Sequence, residues 1–166
     1  MVELKDSGAR KEFETGAVRD ISEGKGRADL LALDIAAWLV KPAEAVVLTE
    51  IENFKNTGVA LNLISILKNY MCTRWNNIET GLLELSHHFE DGAKKYSDNN
   101  WQKGMPVRCY IDSAVRHYLK WSRGDTDEPH DRAFCWNLFC AIWTVEHKPE
   151  LNDYAVGKET NGSEKH

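Results

Sequence analysis

An acidic loop holds the densest group of residues with chemical potential in this chain. Four carboxylates and one imidazole fall within seven positions: Asp125, Asp127, Glu128, His130 and Asp131. Carboxylates this close repel one another, so they call for a metal, a basic partner or plain solvent. Their oxygens suit Mg²⁺ or Mn²⁺. The same residue types also begin helices, where Asp131 would serve as an N-cap, and both interpretations stand.

A second polar group recurs at helical spacing, and its members are Glu84, His88, Asp91 and Lys95. Separations of 4, 3 and 4 residues place them on one stripe of an α-helix. Two carboxylates and an imidazole on such a stripe can hold a divalent cation. A solvated helix face with ion pairs one turn apart also explains the spacing.

Several cations occur in short groups that suit contact with phosphate: Lys25 with Arg27, Lys94 with Lys95, and Arg116 beside His117. Arginine contacts phosphate through two parallel hydrogen bonds and lysine acts as a point charge, although ordinary surface charge is the alternative. Asn137 lies in an apolar stretch, where its amide needs a partner either in the core or in a ligand.

The apolar spacing predicts the helices that carry these groups. The clearest covers about residues 76–96, where apolar positions step by 3 and 4. Further helices are predicted over residues 30–40, 44–55, 59–70 and 131–146, and one around residues 111–119. The helix over 131–146 is apolar nearly all round and therefore central. We predict an all-α fold, a helical bundle of about five to six helices.

The predicted domain occupies residues 28–150, with polar segments on either side. Residues 1–27 are rich in glycine and poor in apolar side chains, so we expect a flexible arm. Residues 151–166 are predicted to form a disordered tail.

Composition excludes several classes of function. The 166 residues carry a net charge of −5, which disfavours binding to nucleic acid through phosphate contacts. No apolar run is long enough to span a bilayer, and the start lacks the apolar core of a secretory signal. We therefore expect a cytoplasmic protein with no membrane and no nucleic-acid partner.

Three blocks of sequence carry a resemblance to a known family. The first comprises residues 16–20 and 24–31, and the second comprises residues 92–96 with Asn100, Trp101, Lys103 and Gly104. The third contains Ser113, Arg116, His117, Gly124, Asp125, Asp127, Glu128, His130 and Asn137. Together they resemble a phage family described as the dATP/dGTP diphosphohydrolase N-terminal domain. That family in turn resembles the MazG-type all-α nucleotide pyrophosphohydrolases.

The resemblance implies a metal-dependent enzyme that splits dGTP or dATP into monophosphate and pyrophosphate during phage infection. It implies Mg²⁺ or Mn²⁺ as cofactor, a nucleoside triphosphate as substrate and a homo-oligomer. On this hypothesis the catalytic residues are Glu84, Asp127 and His130. The metal ligands are Glu84, Asp125, Asp127, Glu128 and Asp131. The substrate contacts are Lys25, Arg27, Lys95, Tyr96, Asn100, Trp101, Arg116, His117 and Asn137.

Two alternative functions remain open at this point. HD-type phosphohydrolases hold metal with a histidine, a His-Asp pair and a later aspartate on an all-α fold. His87 or His88, then His130-Asp131, then Asp153 would fill that pattern. The other alternative is a non-catalytic helical module that binds protein, which Mg²⁺ and dGTP would not stabilise against heat.

Overall fold

A computed structural model describes residues 8–154, and the first seven and last twelve residues lie outside that range. The helices are α1 (Leu33–Ala37), α2 (Pro42–Thr57), α3 (Leu61–Trp75), α4 (Ile78–Lys95), α5 (Val107–Arg123) and α6 (His130–His147). Short 3₁₀ turns cover Ala28–Leu30, Asn100–Lys103 and Pro149–Leu151. Strands β1 (Arg10–Glu12) and β2 (Val18–Asp20) form the one sheet among the described residues. The all-α prediction is confirmed.

Helices α5 and α6 form the centre of the bundle. They run antiparallel, because His117 meets His130 while the earlier Ser113 shares a partner with the later Asn137. Fully buried apolar side chains from both helices fill the space around them: Tyr110, Ile111, Ala114, Val115, Phe134, Leu138 and Ala141. Helix α4 packs beside α6 and is capped by Asn77, whose side chain accepts a hydrogen bond from the Thr80 amide at 2.8 Å.

The segment predicted as an arm contains an antiparallel hairpin that docks on the bundle. Arg10 lies opposite Asp20 in the ladder. The side-chain amide of Asn100 bonds both backbone groups of Val18, at 3.0 and 2.8 Å. Polar contacts hold this segment together with a small apolar contribution, because Ala17 is fully buried in the core and Phe13 packs against it.

The first residues of the predicted tail also pack on the bundle. Asn152 is buried and donates from Nδ2 to the Gly58 carbonyl at 3.0 Å. Tyr154 lies edge-on against Phe54, with ring centroids 5.6 Å apart. The remainder of that tail lies outside the described residues. None of the described helices combines the length and apolar character needed to cross a membrane.

The packing of α3 against α4 depends on a glycine. A Cβ placed on Gly81 would lie 2.7 Å from Cγ and 2.8 Å from Cβ of Met71, which is fully buried. We expect Gly81→Ala to lower the free energy of unfolding by about 1–3 kcal/mol, because the base of a core side chain must move. Chemical denaturation measures this change.

Gly92→Ala is the matched control in the same helix. A Cβ on Gly92 meets nothing within 4 Å. This variant should gain about 0.5–1 kcal/mol, because alanine has the higher helix propensity. Equal effects of the two substitutions would contradict the close helix contact.

Candidate active site

A cavity of about 1070 Å³ lies between the hairpin and helices α4, α5 and α6. Charged and polar residues line one end: Lys25, Arg116, His117, Lys120, Asp127 and Glu128. Aromatic residues line the other: Phe89, Trp101, Trp136 and Phe139. At 1.5 Å per residue, Trp136 lies about 9 Å along α6 from His130, so the two ends are well separated.

Three ligand-type atoms form a tight triangle at the polar end. His117 Nδ1 and His130 Nδ1 are 3.0 Å apart. Glu128 Oε1 lies 3.7 Å from the first and 3.5 Å from the second. Donor atoms that bind one ion at about 2.1 Å each are separated by about 3 Å. The triangle therefore has the size of a coordination site.

Asp127 contacts the opposite nitrogen of the same imidazole. Its Oδ1 lies 2.8 Å from His130 Nε2, and the His130 side chain is 1% exposed. A carboxylate on the outer nitrogen fixes the orientation of a metal-binding imidazole and increases its basicity. Lys120 lies 3.5 Å from the other carboxylate oxygen of Asp127.

The charge state of His117 suits a metal ligand. Burial, followed by the nearby His130, lowers the pKa of His117 to about 2. The ring is therefore neutral at pH 7 and one of its nitrogens carries a lone pair. A neutral imidazole is the form of histidine that binds metals.

Arg19 connects the hairpin to the two central helices. Its Nη2 donates to Ser113 Oγ on α5 and to Asn137 Oδ1 on α6, the latter at 2.9 Å. Its Nη1 donates to the Cys109 carbonyl at 3.1 Å. Asn137 Nδ2 in turn donates a hydrogen bond to the Ala133 carbonyl. One guanidinium thus fixes the middle of the cavity wall.

Arg116 is held by the segment that follows the hairpin. Its Nη1 donates to the Gly26 carbonyl at 3.1 Å, and its Nη2 donates to Asp112 at 2.8 Å. Asp112 in turn accepts from the Ala28 amide at 2.6 Å. These bonds orient the guanidinium beside the cavity.

Asp20 anchors the hairpin to the end of α4. Lys95 Nζ and the Tyr96 hydroxyl donate to its two oxygens, at 2.7 and 2.8 Å. Burial acts to raise the pKa of Asp20, but these two hydrogen bonds outweigh it and the pKa is lowered. Burial and the adjacent carboxylate raise the pKa of Tyr96, which therefore remains a neutral donor.

Most of the predicted site residues meet at this cavity. Its lining includes Lys25, Lys95, Tyr96, Asn100, Trp101, Arg116, His117, Asp127, Glu128 and Asn137. Buried His130 contacts His117 and Asp127 directly. The acidic loop and the cation groups, which are distant along the chain, thus share one site.

Four predicted site residues instead form ion pairs, three carboxylates with arginines and Arg27 with an aspartate. Glu84 accepts from Arg132, and Asp131 accepts from Arg74 at 2.9 Å. Arg123 binds Asp125 through two nitrogens, although Asp125 still lies close to Asp127 and His130. Arg27 forms an ion pair with Asp29 and lines a smaller neighbouring cavity. The lining of the cavity does not include Glu84, Asp125, Asp131 or Arg27.

The HD-type pattern is not assembled. Asp153 binds the Arg108 amide at the start of α5. His130 meets His117, about two and a half turns further along the same helix. A ligand set that needs both Asp153 and His130 would have to span about 13 Å along α5.

Trp136 was not among the predicted site residues, and His88 was considered only as a possible metal ligand. His88 is 7% exposed, and within residues 8–154 neither its Nδ1 nor Nε1 of Trp136 has a hydrogen-bond partner. The two ring centroids are 5.6 Å apart. Arg19 was missed as well, although it lies within the first block of the resemblance.

The fold and site define an all-α protein with a mixed imidazole and carboxylate cluster at the mouth of a nucleotide-sized cavity. The model of the family described as dATP/dGTP diphosphohydrolase, N-terminal, matches residues 65–154. This is more than half of the chain, and the chain belongs to that family. The match includes the second and third blocks of the resemblance and leaves out the first. Curated proteins and solved structures gave no match.

The burial of His88 predicts a specific dependence of stability on pH. Burial, followed by nearby Arg132, lowers its pKa from 6.5 to about 4. Between these values the unfolded chain binds more protons, so stability is complete above about pH 6.5 and falls as the pH drops toward 4. The loss attributable to His88 amounts to as much as about 3 kcal/mol.

Chemical denaturation of wild type and His88→Gln at pH 7 and pH 4.5 measures this contribution. The variant cannot titrate at this position, so the difference in its free energy of unfolding between the two pH values should be smaller. Parallel pH profiles for the two proteins would show that His88 is not buried as a neutral ring.

Proposed function

We propose that this chain is a metal-dependent diphosphohydrolase that converts dGTP or dATP to the monophosphate and pyrophosphate. The observation that supports this proposal most directly is the triangle of His117 Nδ1, His130 Nδ1 and Glu128 Oε1 at the charged end of the cavity. Family membership supports the reaction class. The setting would be the nucleotide metabolism of a phage, in the cytoplasm of its host.

The donor set fits a divalent cation. Two neutral imidazole nitrogens and one carboxylate oxygen suit a first-row transition metal, so Mn²⁺ fits better than Mg²⁺. Asp127 would hold the His130 ring in place and Asp125 adds a further oxygen nearby. A bound cation would neutralise phosphate charge and lower the pKa of the attacking water.

Protein cations would position the triphosphate. Arg116 and Lys120 lie within one turn of His117 on α5, and Lys25 faces the same cavity from the N-terminal segment. Arg116 is already oriented by Asp112 and Gly26, so little order is lost when it binds an anion. Hydrolysis then breaks the bond between the α and β phosphates, and the charged residues stabilise both anionic products.

Product analysis tests this proposal. The purified chain is incubated with dGTP or dATP and Mn²⁺ or Mg²⁺, and the products are separated by anion-exchange chromatography. We expect monophosphate and pyrophosphate in equal amounts. Release of nucleoside and triphosphate would indicate an HD-type reaction, and failure to bind or hydrolyse nucleotide would indicate a non-catalytic module.

The metal ligands are tested by affinity for Mn²⁺. We expect Glu128→Gln to weaken binding strongly, because it replaces the only anionic group of the triangle with a neutral amide. Asp127→Asn should weaken binding about 10- to 100-fold, the usual effect of losing the partner of a metal-binding histidine. Isothermal titration with Mn²⁺ gives both values.

Asp131→Asn is the control, because this carboxylate pairs with Arg74 instead of joining the triangle. It should bind Mn²⁺ as wild type does. If Asp131→Asn lost binding while Glu128→Gln retained it, the ligand assignment would be wrong.

We also propose that the chain forms a homo-oligomer through the segment from Leu30 to Leu39, which contains α1. Leu30, Trp38 and Leu39 are 71%, 80% and 82% exposed, and Ile35 in α1 is 46% exposed. Soluble monomers rarely expose an apolar surface of this kind, and a second copy would cover it with the same residues.

Trp38→Lys should shift the protein toward monomer in light scattering, because a charge replaces the largest apolar side chain of this face. Leu83→Lys changes an exposed leucine on α4 and should leave the oligomeric state unchanged. A wild-type protein that is monomeric at all concentrations would contradict the proposed interface.

A further inference from the structure

Two buried hydrogen-bonding atoms without partners lie at the aromatic end of the cavity. Four buried polar side-chain atoms in the described part of the chain lack a partner, and two of them belong to cavity residues: His88 Nδ1 and Trp136 Nε1. An unpaired buried group costs about 1–3 kcal/mol, and a ligand with complementary atoms would relieve that cost. Their presence in one corner indicates a recognition site.

The surroundings favour a flat ligand. Trp136 contacts Phe89, with ring centroids 6.1 Å apart, and Phe89 contacts Trp101 at 5.3 Å and Phe139 at 5.6 Å. Aromatic walls of this kind stack on nucleobases. Arg116 and Lys120 lie beside His117, and His130 is about 9 Å along α6 from Trp136, which leaves room for the base beside the aromatic residues.

We infer that His88 and Trp136 recognise the purine base through N7 and the substituent at C6. The inference rests on the proposed function, because it assigns one end of the same cavity to the base. These two positions are neighbours on one edge of a purine, as the two side chains are neighbours in the cavity.

The chemistry of the two side chains matches that edge. An indole N–H only donates, and N7 accepts in both adenine and guanine. The C6 substituent differs, because guanine has an accepting oxygen and adenine a donating amino group. A neutral imidazole has one donating and one accepting nitrogen, so a change of tautomer lets His88 bind either base. The pair would select purines over pyrimidines and accept both dATP and dGTP.

The test compares dGTP with 7-deaza-dGTP, in which N7 is replaced by carbon. Wild type should show kcat/KM about three- to tenfold lower for 7-deaza-dGTP, the effect of one lost hydrogen bond. Trp136→Phe keeps an aromatic ring without the N–H and should process both nucleotides equally. Trp143→Phe changes a tryptophan outside the cavity lining and should retain the wild-type ratio.

The contact from His88 is tested in the same way with the deoxynucleoside triphosphate of unsubstituted purine, which has hydrogen at C6. Wild type should process it less efficiently than dATP or dGTP, and His88→Leu should reduce that preference. A preference retained in His88→Leu would overturn this half of the inference.

Failure of the inference and failure of the proposed function are distinguishable. If wild type hydrolyses dGTP and 7-deaza-dGTP equally well, the proposed enzymatic function is supported and the N7 contact is overturned. This conclusion needs only the wild-type protein, so it holds even if Trp136→Phe does not fold. If calorimetry shows that wild type binds dGTP more tightly than 7-deaza-dGTP but releases no pyrophosphate, base recognition stands and the enzymatic proposal fails. If wild type binds neither nucleotide, both are overturned.

Discussion

The fold depends on satisfying polar side chains that lie between its two central helices. Asp112 and Ser113 on α5 and Asn137 on α6 are all buried. Buried polar groups require hydrogen bonds, and the N-terminal segment supplies them through Arg19 and the Ala28 amide. The polar contacts of that segment thus hold it against the bundle and build the cavity wall.

Buried polar groups also meet where the C-terminal part of α5 lies against the start of α6, and there the N-terminal segment does not supply the hydrogen bonds. His117 and His130 meet there with only the residues of the acidic loop as partners among the described residues. A neutral imidazole beside a carboxylate and a second imidazole offers lone pairs that a cation can bind. In this interpretation a bound metal ion would satisfy the polar groups at this end of α5 and α6, as Arg19 satisfies those in the middle. The proposed activity follows from the position of that cation beside Arg116 and Lys120.

The sequence predicted the helices better than the site. Apolar spacing placed a helix over residues 76–96, and α4 covers Ile78–Lys95, because one buried face fixes the period. Spacing cannot show which distant residue meets a given side chain. Glu84 therefore counted as a metal ligand although Arg132 binds it, and Asp131 counted as one although Arg74 binds it. Arg19 was missed because a lone arginine in a polar segment does not indicate that it reaches two buried helices.

The central claim is that His117 and His130 share one metal ion. Pulsed electron paramagnetic resonance of the Mn²⁺-loaded protein tests it directly, because nitrogen nuclei bound to Mn²⁺ modulate the electron spin echo. We predict nitrogen modulation from imidazole in wild type, reduced in His117→Ala and in His130→Ala and unchanged in His147→Ala, whose ring stacks on Trp143. Bound Mn²⁺ without nitrogen modulation would contradict the account.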